Sequence, residues 1–168
     1  AATERGADHY ALYGMRGVSL GDEALLHVDG ARRDAVLRSP HIDAARRRAR
    51  RAGYTVKIRR QRDLAPEALE RIEALAELWR GAESERGFSM ALSRMGDPSD
   101  GDSLIVTAHD GSDEIMALLV FVPWNGDGIS LDVMRRSPNA VNGTTEFLVA
   151  TLLAEAETLG LRRISLNF

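Results

Sequence analysis

Apolar side chains change their rhythm midway along this chain. In the first half they recur at helical spacing: from Pro66 to Glu83, Leu69, Ile72, Leu75 or Ala76, and Trp79 mark one buried stripe of a proline-led helix. Before it, Ser39-Pro40 supplies an N-cap followed by a proline at the first helical position, predicting a helix that runs to Ala52 and stops at Gly53. Tyr54 to Arg60 then alternates, with Val56 and Ile58 apolar, as a half-buried strand does. Nearer the start, in a region rich in Gly and small polar residues, Gly17 to Asp22 and Ala24 to Val28 predict a short strand, a turn and a second strand.

Beyond the Asp97 to Asp102 loop the pattern turns to short, dense apolar runs. Ser103 to His109, Glu114 to Pro123 and Gly128 to Met134 read as strands. Asp110-Gly111 and Asn125-Gly126-Asp127-Gly128 between them favour hairpins, so the three should run antiparallel. A long helix from Thr144 to Leu159, ended by Gly160, and a strand from Arg163 to Phe168 come next. Three antiparallel strands, a helix and a returning strand make the core order of the acyl-CoA N-acetyltransferase fold. The expected class is therefore α/β, a mixed and mainly antiparallel sheet flanked by helices.

Composition narrows the picture. A chain of 168 residues with 44% apolar side chains can bury one core, and with no internal repeat or linker one globular domain is expected. Without cysteine, disulfides, thiolate metal sites and cysteine nucleophiles drop out, which fits a reducing compartment. His9, His27, His41 and His109 show no metal-ligand spacing, so no metal is expected. No apolar run approaches the roughly 18 to 20 residues of a membrane span, and no signal-peptide pattern opens the chain, so a soluble chain is expected. It starts with Ala and stops inside the apolar run Ile164 to Phe168, which reads as a piece of a longer protein.

The formal net charge of −3 conceals an asymmetry. Arg46, Arg47, Arg48, Arg50, Arg51, Lys57, Arg59, Arg60 and Arg62 crowd one stretch that holds none of the 25 acidic residues. Such a block is either a solvated helix face or a contact for a polyanion, nucleic acid or anionic lipid.

An acetyltransferase-like scaffold carries its own test. Users of acetyl-CoA place a glycine-rich turn between the third strand and the long helix, where backbone N–H groups cradle the pyrophosphate. Here the stretch Arg135 to Gly143 holds one glycine, and Pro138 removes a donor. CoA is disfavoured, no cofactor is expected, and another activated acyl donor is needed.

The set Arg51-Ala52-Gly53-Tyr54, Glu85-Arg86-Gly87-Phe88-Ser89-Met90, Pro123-Trp124, Ser130 to Arg136, Asn142-Gly143 with Glu146, and Ile164 to Phe168 resembles the C-terminal catalytic domain of the aminoacyl-phosphatidylglycerol synthases. It is most similar to the actinobacterial lysylphosphatidylglycerol synthases. The resemblance implies a transferase that takes lysine from lysyl-tRNA to the hydroxyl of phosphatidylglycerol, on the cytoplasmic face of a membrane-embedded parent. A different lipid or a peptide as acceptor, or a non-catalytic tRNA- or membrane-binding module, are the competing readings.

Carried onto this chain, the family's active-site Asp and Arg fall on Asp132 and Arg135, and a further acidic position falls on Glu85. By strand alternation Asp132 should share a face with Ser130 and Met134. A carboxylate there either holds the lysyl ammonium or takes the proton of the attacking hydroxyl; the bland reading is a surface ion pair. Arg135 or Arg136 suits a phosphate of the lipid or of the tRNA 3′ end. Ser89 is a further substrate-binding candidate. Asn142 and Glu146 stand at the mouth of the long helix, where they either bind substrate or merely cap and complement its dipole. Trp124 either stacks on the terminal adenine, dips toward lipid or is a buried anchor. Arg46, Arg47, Arg50, Arg51 and Arg59 are the candidates for tRNA or lipid phosphates.

Overall fold

The computed structural model describes residues 4–18, 22–80 and 95–167. Along the chain these form α1 (Glu4–Ala11), β1 (Leu25–His27), α2 (Gly30–Leu37), α3 (Pro40–Arg51), β2 (Thr55–Arg60), α4 (Pro66–Arg80), β3 (Leu104–His109), β4 (Ile115–Trp124), β5 (Gly128–Arg136), α5 (Thr144–Glu155) and β6 (Arg163–Ser165). The six strands make one sheet in the order β1-β6-β5-β4-β3-β2. Every neighbouring pair is antiparallel except β5 and β6, which the α5 crossover makes parallel.

The alternation that predicted the strands also divides the two cores. Val106, Ala108, Leu119, Phe121, Ile129 and Leu131 face α5, whose Phe147, Leu148, Leu152 and Leu153 are buried against them, with Ala49 of α3 and Val36 of α2 in the same cluster. Ile105, Leu118 and Val120 point to the other face and pack with Ile72, Leu75 and Trp79, the stripe read from the sequence of α4. The mixed, mainly antiparallel sheet flanked by helices is the expected fold.

Several boundaries differ from expectation. Gly17, Val18 and Asp22 are not in a strand, and of Ala24 to Val28 only Leu25–His27 pairs, as an edge strand on β6. Helices α1 and α2 were not anticipated. For α2 a signal was present: Asp29 is its N-cap and its side chain accepts from Arg32 N–H. Arg163–Ser165 is half the expected final strand, because β1 and β5 offer it only three partners each. Phe168 and the expected last turn of α4 after Arg80 lie outside the described residues.

Small residues set the crossing of α3 and α5. Ala45 and Ala49, one turn apart on α3, are buried with 2% and 0% of their surface exposed. Their small side chains let Gly143, the residue before α5, come so close that a Cβ there would lie 2.8 Å from Ala45 Cβ. Gly143 also holds φ +90°, a left-handed conformation that favours glycine. Gly160 shares the positive φ, +74°, but has open space around it. In urea unfolding, Gly143→Ala should cost on the order of 2 kcal/mol from strain plus the displaced contact. Gly160→Ala should cost less, and equal losses would show that the helix crossing tolerates a methyl group.

Candidate active site

β5 is bonded to β6 only through Gly128–Arg163, Ile129–Ile164 and Ser130–Ser165. Past Ser130 the ladder between the two strands ends, and a polar knot occupies its root. Asn167, at φ +55°, donates from Nδ2 to the Leu131 carbonyl and from its backbone N–H to Ser165 Oγ at 3.2 Å. Its Oδ1 accepts from Ser130 Oγ at 3.3 Å, and Ser165 Oγ donates to Glu23 Oε1.

At the same level the opposite edge of β5 is irregular. Leu131 is in register with Phe121 and Val133 with Val120, leaving Asp132 as the extra residue of a β-bulge. The bulge reverses the alternation that the sequence suggested. Ser130, between Ile129 and Leu131 of the α5-side core, points to the α4 face, whereas Met134 is in register with Leu119 of the α5-side core. Asp132 therefore does not share one face with both Ser130 and Met134, because the extra residue resets the phase of everything after it.

Val133 and Arg135 lie on the α4 face, in register with Val120 and Leu118. Arg135 Nη1 donates to the Met134 carbonyl at 2.9 Å. Asp132 Oδ2 and Arg135 Nε are both buried. A half-buried carboxylate and guanidinium beside an open strand edge can hold an ammonium or a phosphate, or accept a proton, more strongly than fully exposed groups could. Glu85 and Ser89 lie outside the described residues.

Met134 and Arg136 point the other way and line a pocket of about 490 Å³ with His41, Arg48, Asn142 and Glu146. Arg136, Asn142 and Glu146 are thus brought together, while Arg135 is on the opposite side of the sheet. Asn142 is not the helix cap: that position belongs to Gly143, and no side chain caps α5. Instead the Asn142 carbonyl accepts from Arg48 Nη1 at 2.8 Å. Glu146, in the first turn of α5, lies 3.4 Å from His41 Nε2. His41 was not read as a site residue, and Arg48 was read only as a member of the basic block. Arg48 was one of five arginines in a row of six residues, and only the buried Ala45 and Ala49 show which of them turns toward α5.

The basic stretch divides in the fold. Arg47 pairs with Asp43, Arg62 with Asp102, and Lys57 with Asp113 at 2.6 Å. The Lys57 hydrogen bond holds the Asp113 carboxyl below its ordinary value. Arg46, Arg50 and Arg51 have no such acidic partner among the described residues, and Arg50 and Arg51 are exposed. Arg59 shares a sheet face with Lys57, in register with Ile105, so it belongs to the α4 side while α3 covers the other. Trp124 ends β4 at the far end of β5 from Arg136, with the Arg163 guanidinium 5.0 Å above its ring. The structure does not bring it to Asp132 or to the pocket.

No helix among the described residues is long and apolar enough to cross a membrane, and these residues contain no acidic and histidine cluster suited to a metal.

Removing the Asn167 side chain while keeping its backbone conformation tests the polar knot. Asn167→Gly should lose about 1 kcal/mol of stability and speed hydrogen exchange at Leu131 to Val133 relative to β3. Unchanged exchange there would mean the ladder end is held by something else.

A family model described as phosphatidylglycerol lysyltransferase, C-terminal, matches residues 1–168. A lysylphosphatidylglycerol biosynthesis bifunctional protein LysX of Mycobacterium avium is 49% identical over 170 residues, which cover 99% of this chain and 14% of that protein. Its counterpart in Mycobacterium tuberculosis is 48% identical with the same shares. The chain thus spans only 14% of the length of these curated relatives. Among solved structures, L-PGS from Bacillus licheniformis shares the fold, with a TM-score of 0.77 over 98% of this chain and 52% of that one, at 22% identity.

Proposed function

Because the chain belongs to the family of phosphatidylglycerol lysyltransferase C-terminal domains, we propose that it holds the transfer centre of an enzyme that moves lysine from lysyl-tRNA to a glycerol hydroxyl of phosphatidylglycerol. The observation that carries this reading is the bulge, which sets Asp132, half-buried with its Oδ2 shielded from water, where β5 leaves β6.

The chemistry asks little of the protein in nucleophiles. The glycerol oxygen attacks the ester carbonyl, the bond to the ribose oxygen breaks, and the proton of the attacking hydroxyl ends on that ribose oxygen. One ester replaces another, so the enzyme's work is to align two oxygens and exclude water. Asp132 either relays that proton or fixes the lysyl ammonium, and both uses need a carboxylate sheltered from solvent.

Both substrates carry phosphates, and the end of β5 offers a guanidinium to each side of the sheet, Arg135 toward α4 and Arg136 toward α5. Donor and acceptor can then approach from different faces and meet at the parted strands. The exposed arginines of α3 add charge for the tRNA backbone or for anionic headgroups. In this reading the domain works at the cytoplasmic face of the membrane, carried by the rest of a longer parent protein.

In the parent protein given labelled lysyl-tRNA and phosphatidylglycerol vesicles, Asp132→Ala should reduce labelled lipid at least about 100-fold without lowering the melting temperature. Undiminished product would put the centre elsewhere. A donor bearing alanine separates the two roles: if Asp132 binds the side-chain ammonium, the variant's defect should shrink with alanyl-tRNA, and if it relays the proton the defect should stay.

Joint replacement of Arg46, Arg50 and Arg51 by Gln should weaken tRNA or vesicle binding and flatten its dependence on salt. An unaltered salt dependence would make them a solvated face.

A further inference from the structure

We propose that Glu23, on the connection ahead of β1, is a positioning residue for the transfer centre: by taking the proton of Ser165 it holds the Asn167 amide against the Leu131 carbonyl, one residue before Asp132. The inference rests on the reading of Asp132 as that centre. Glu23 belongs to none of the motifs that carry the family resemblance.

Backbone bonds fix where its carboxylate stands. Ala24, its neighbour, accepts from the Leu166 N–H at 2.9 Å and donates to the Asn167 carbonyl at 3.4 Å, and Leu25 is in register with Ser165. Glu23 is itself exposed, yet its Oε1 accepts from a hydroxyl that is fully buried, that of Ser165 with 0% of its surface exposed. Among the described residues Glu23 has no cationic partner, so its charge is not committed elsewhere.

A serine hydroxyl carries one proton. Ser165 has two acceptors in reach, the nearer carboxylate of Glu23 and Asn167 Oδ1 at 3.5 Å, and the closer, charged one takes the proton. The lone pairs of Ser165 Oγ then face Asn167, whose backbone N–H they accept at 3.2 Å. Asn167 Oδ1 is left for the Ser130 hydroxyl at 3.3 Å, and Nδ2 donates to the Leu131 carbonyl. Without the carboxylate, the buried Ser165 proton has only Asn167 Oδ1 to turn to among its listed neighbours in the knot. Closing that 3.5 Å gap draws the amide toward β6 and off the Leu131 carbonyl.

The bond at Leu131 matters because β6 supplies no ladder partner past Ser165, and the Asn167 side chain takes its place. Leu131 is the last residue before the extra one of the bulge. A carbonyl let go there frees the peptide unit that joins it to Asp132, where the bulged strand has no second ladder to hold it.

The test uses the parent protein with labelled lysyl-tRNA and phosphatidylglycerol vesicles, at a temperature where circular dichroism shows every variant folded. Glu23→Ala should lower kcat about tenfold, short of the roughly hundredfold that a 1 Å misplacement can cost, and leave KM for lysyl-tRNA unchanged. Glu23→Gln keeps an oxygen for the Ser165 proton and should recover most of the native kcat. In a Ser165→Ala background Glu23→Ala should add little, because the proton it takes is gone. The Asn167 side-chain amide resonances of the 168-residue chain should shift in Glu23→Ala and return in Glu23→Gln, a readout that needs no turnover. A native kcat in Glu23→Ala, a loss that Gln fails to restore, or a change in KM alone would overturn the positioning role. If Glu23→Ala turns over normally while Asp132→Ala does not, the transfer centre stands and the role of Glu23 falls; intact turnover in Asp132→Ala overturns the centre itself.

Discussion

β5 carries one residue more than β4 can pair with, and it loses its other neighbour, β6, at the same height. Those two irregularities share a cause and a consequence. The parallel ladder lasts for three residue pairs, since β6 is short and its chain turns through Asn167 in a left-handed conformation. The strand edge so released can accommodate a bulge without breaking a second ladder. The bulge in turn hands Val133 and Arg135 to the α4 face and Met134 and Arg136 to the α5 face. An unbroken β5 would exchange those faces, burying Arg136 against α4 and turning Val133 toward the α5-side core.

Two apolar clusters hold this platform. On one side α5 lies with Leu148, Leu152 and Leu153 fully buried, and α3 reaches it through alanines and a glycine. On the other, α4 contributes a single stripe centred on Ile72. Small residues at the α3–α5 crossing shorten the distance between helices, and that spacing decides whether Arg48 can reach the Asn142 carbonyl. Packing and charge placement are joined there: the alanines and Gly143 let the helices approach, and the approach lets the Asn142 carbonyl hold Arg48 at the cavity wall.

Charge on the surface is arranged by the same fold. Pairing of Arg47, Lys57 and Arg62 with Asp43, Asp113 and Asp102 neutralises part of the basic stretch, leaving the other arginines of α3 and Arg59 and Arg60 of β2 as the remainder. Exposed pairs of this kind contribute little to stability, but they fix which cations stay available for a phosphate. The side chain of Arg136 and those of Arg46, Arg50 and Arg51 carry no such acidic partner among the described residues. The basic block read from composition is thereby reduced to a smaller set of cations without an acidic partner among the described residues.

Much of this was legible in the sequence. Period-two and helical spacing located β2 to β5, α3, α4 and α5, and turn residues set the antiparallel order, because local backbone preference and burial act in the same direction there. The match of Ser130 to Arg136, in its context, pointed to Asp132 and Arg135 without reference to the fold. What the sequence by itself did not determine was which way those side chains face. A bulge is a register event between two strands, and it depends on where β6 stops and on what β4 presents, not on the residues of β5 alone. The orientation of five neighbouring arginines was likewise undecided until α5 took its place on α3. Helix α2 was not read from the sequence, and of the strand read over Ala24 to Val28 only Leu25–His27 forms, because its partner β6 is distant in the chain and short. Local spacing chose the elements; tertiary contact chose their phase, and phase decides which functional groups meet.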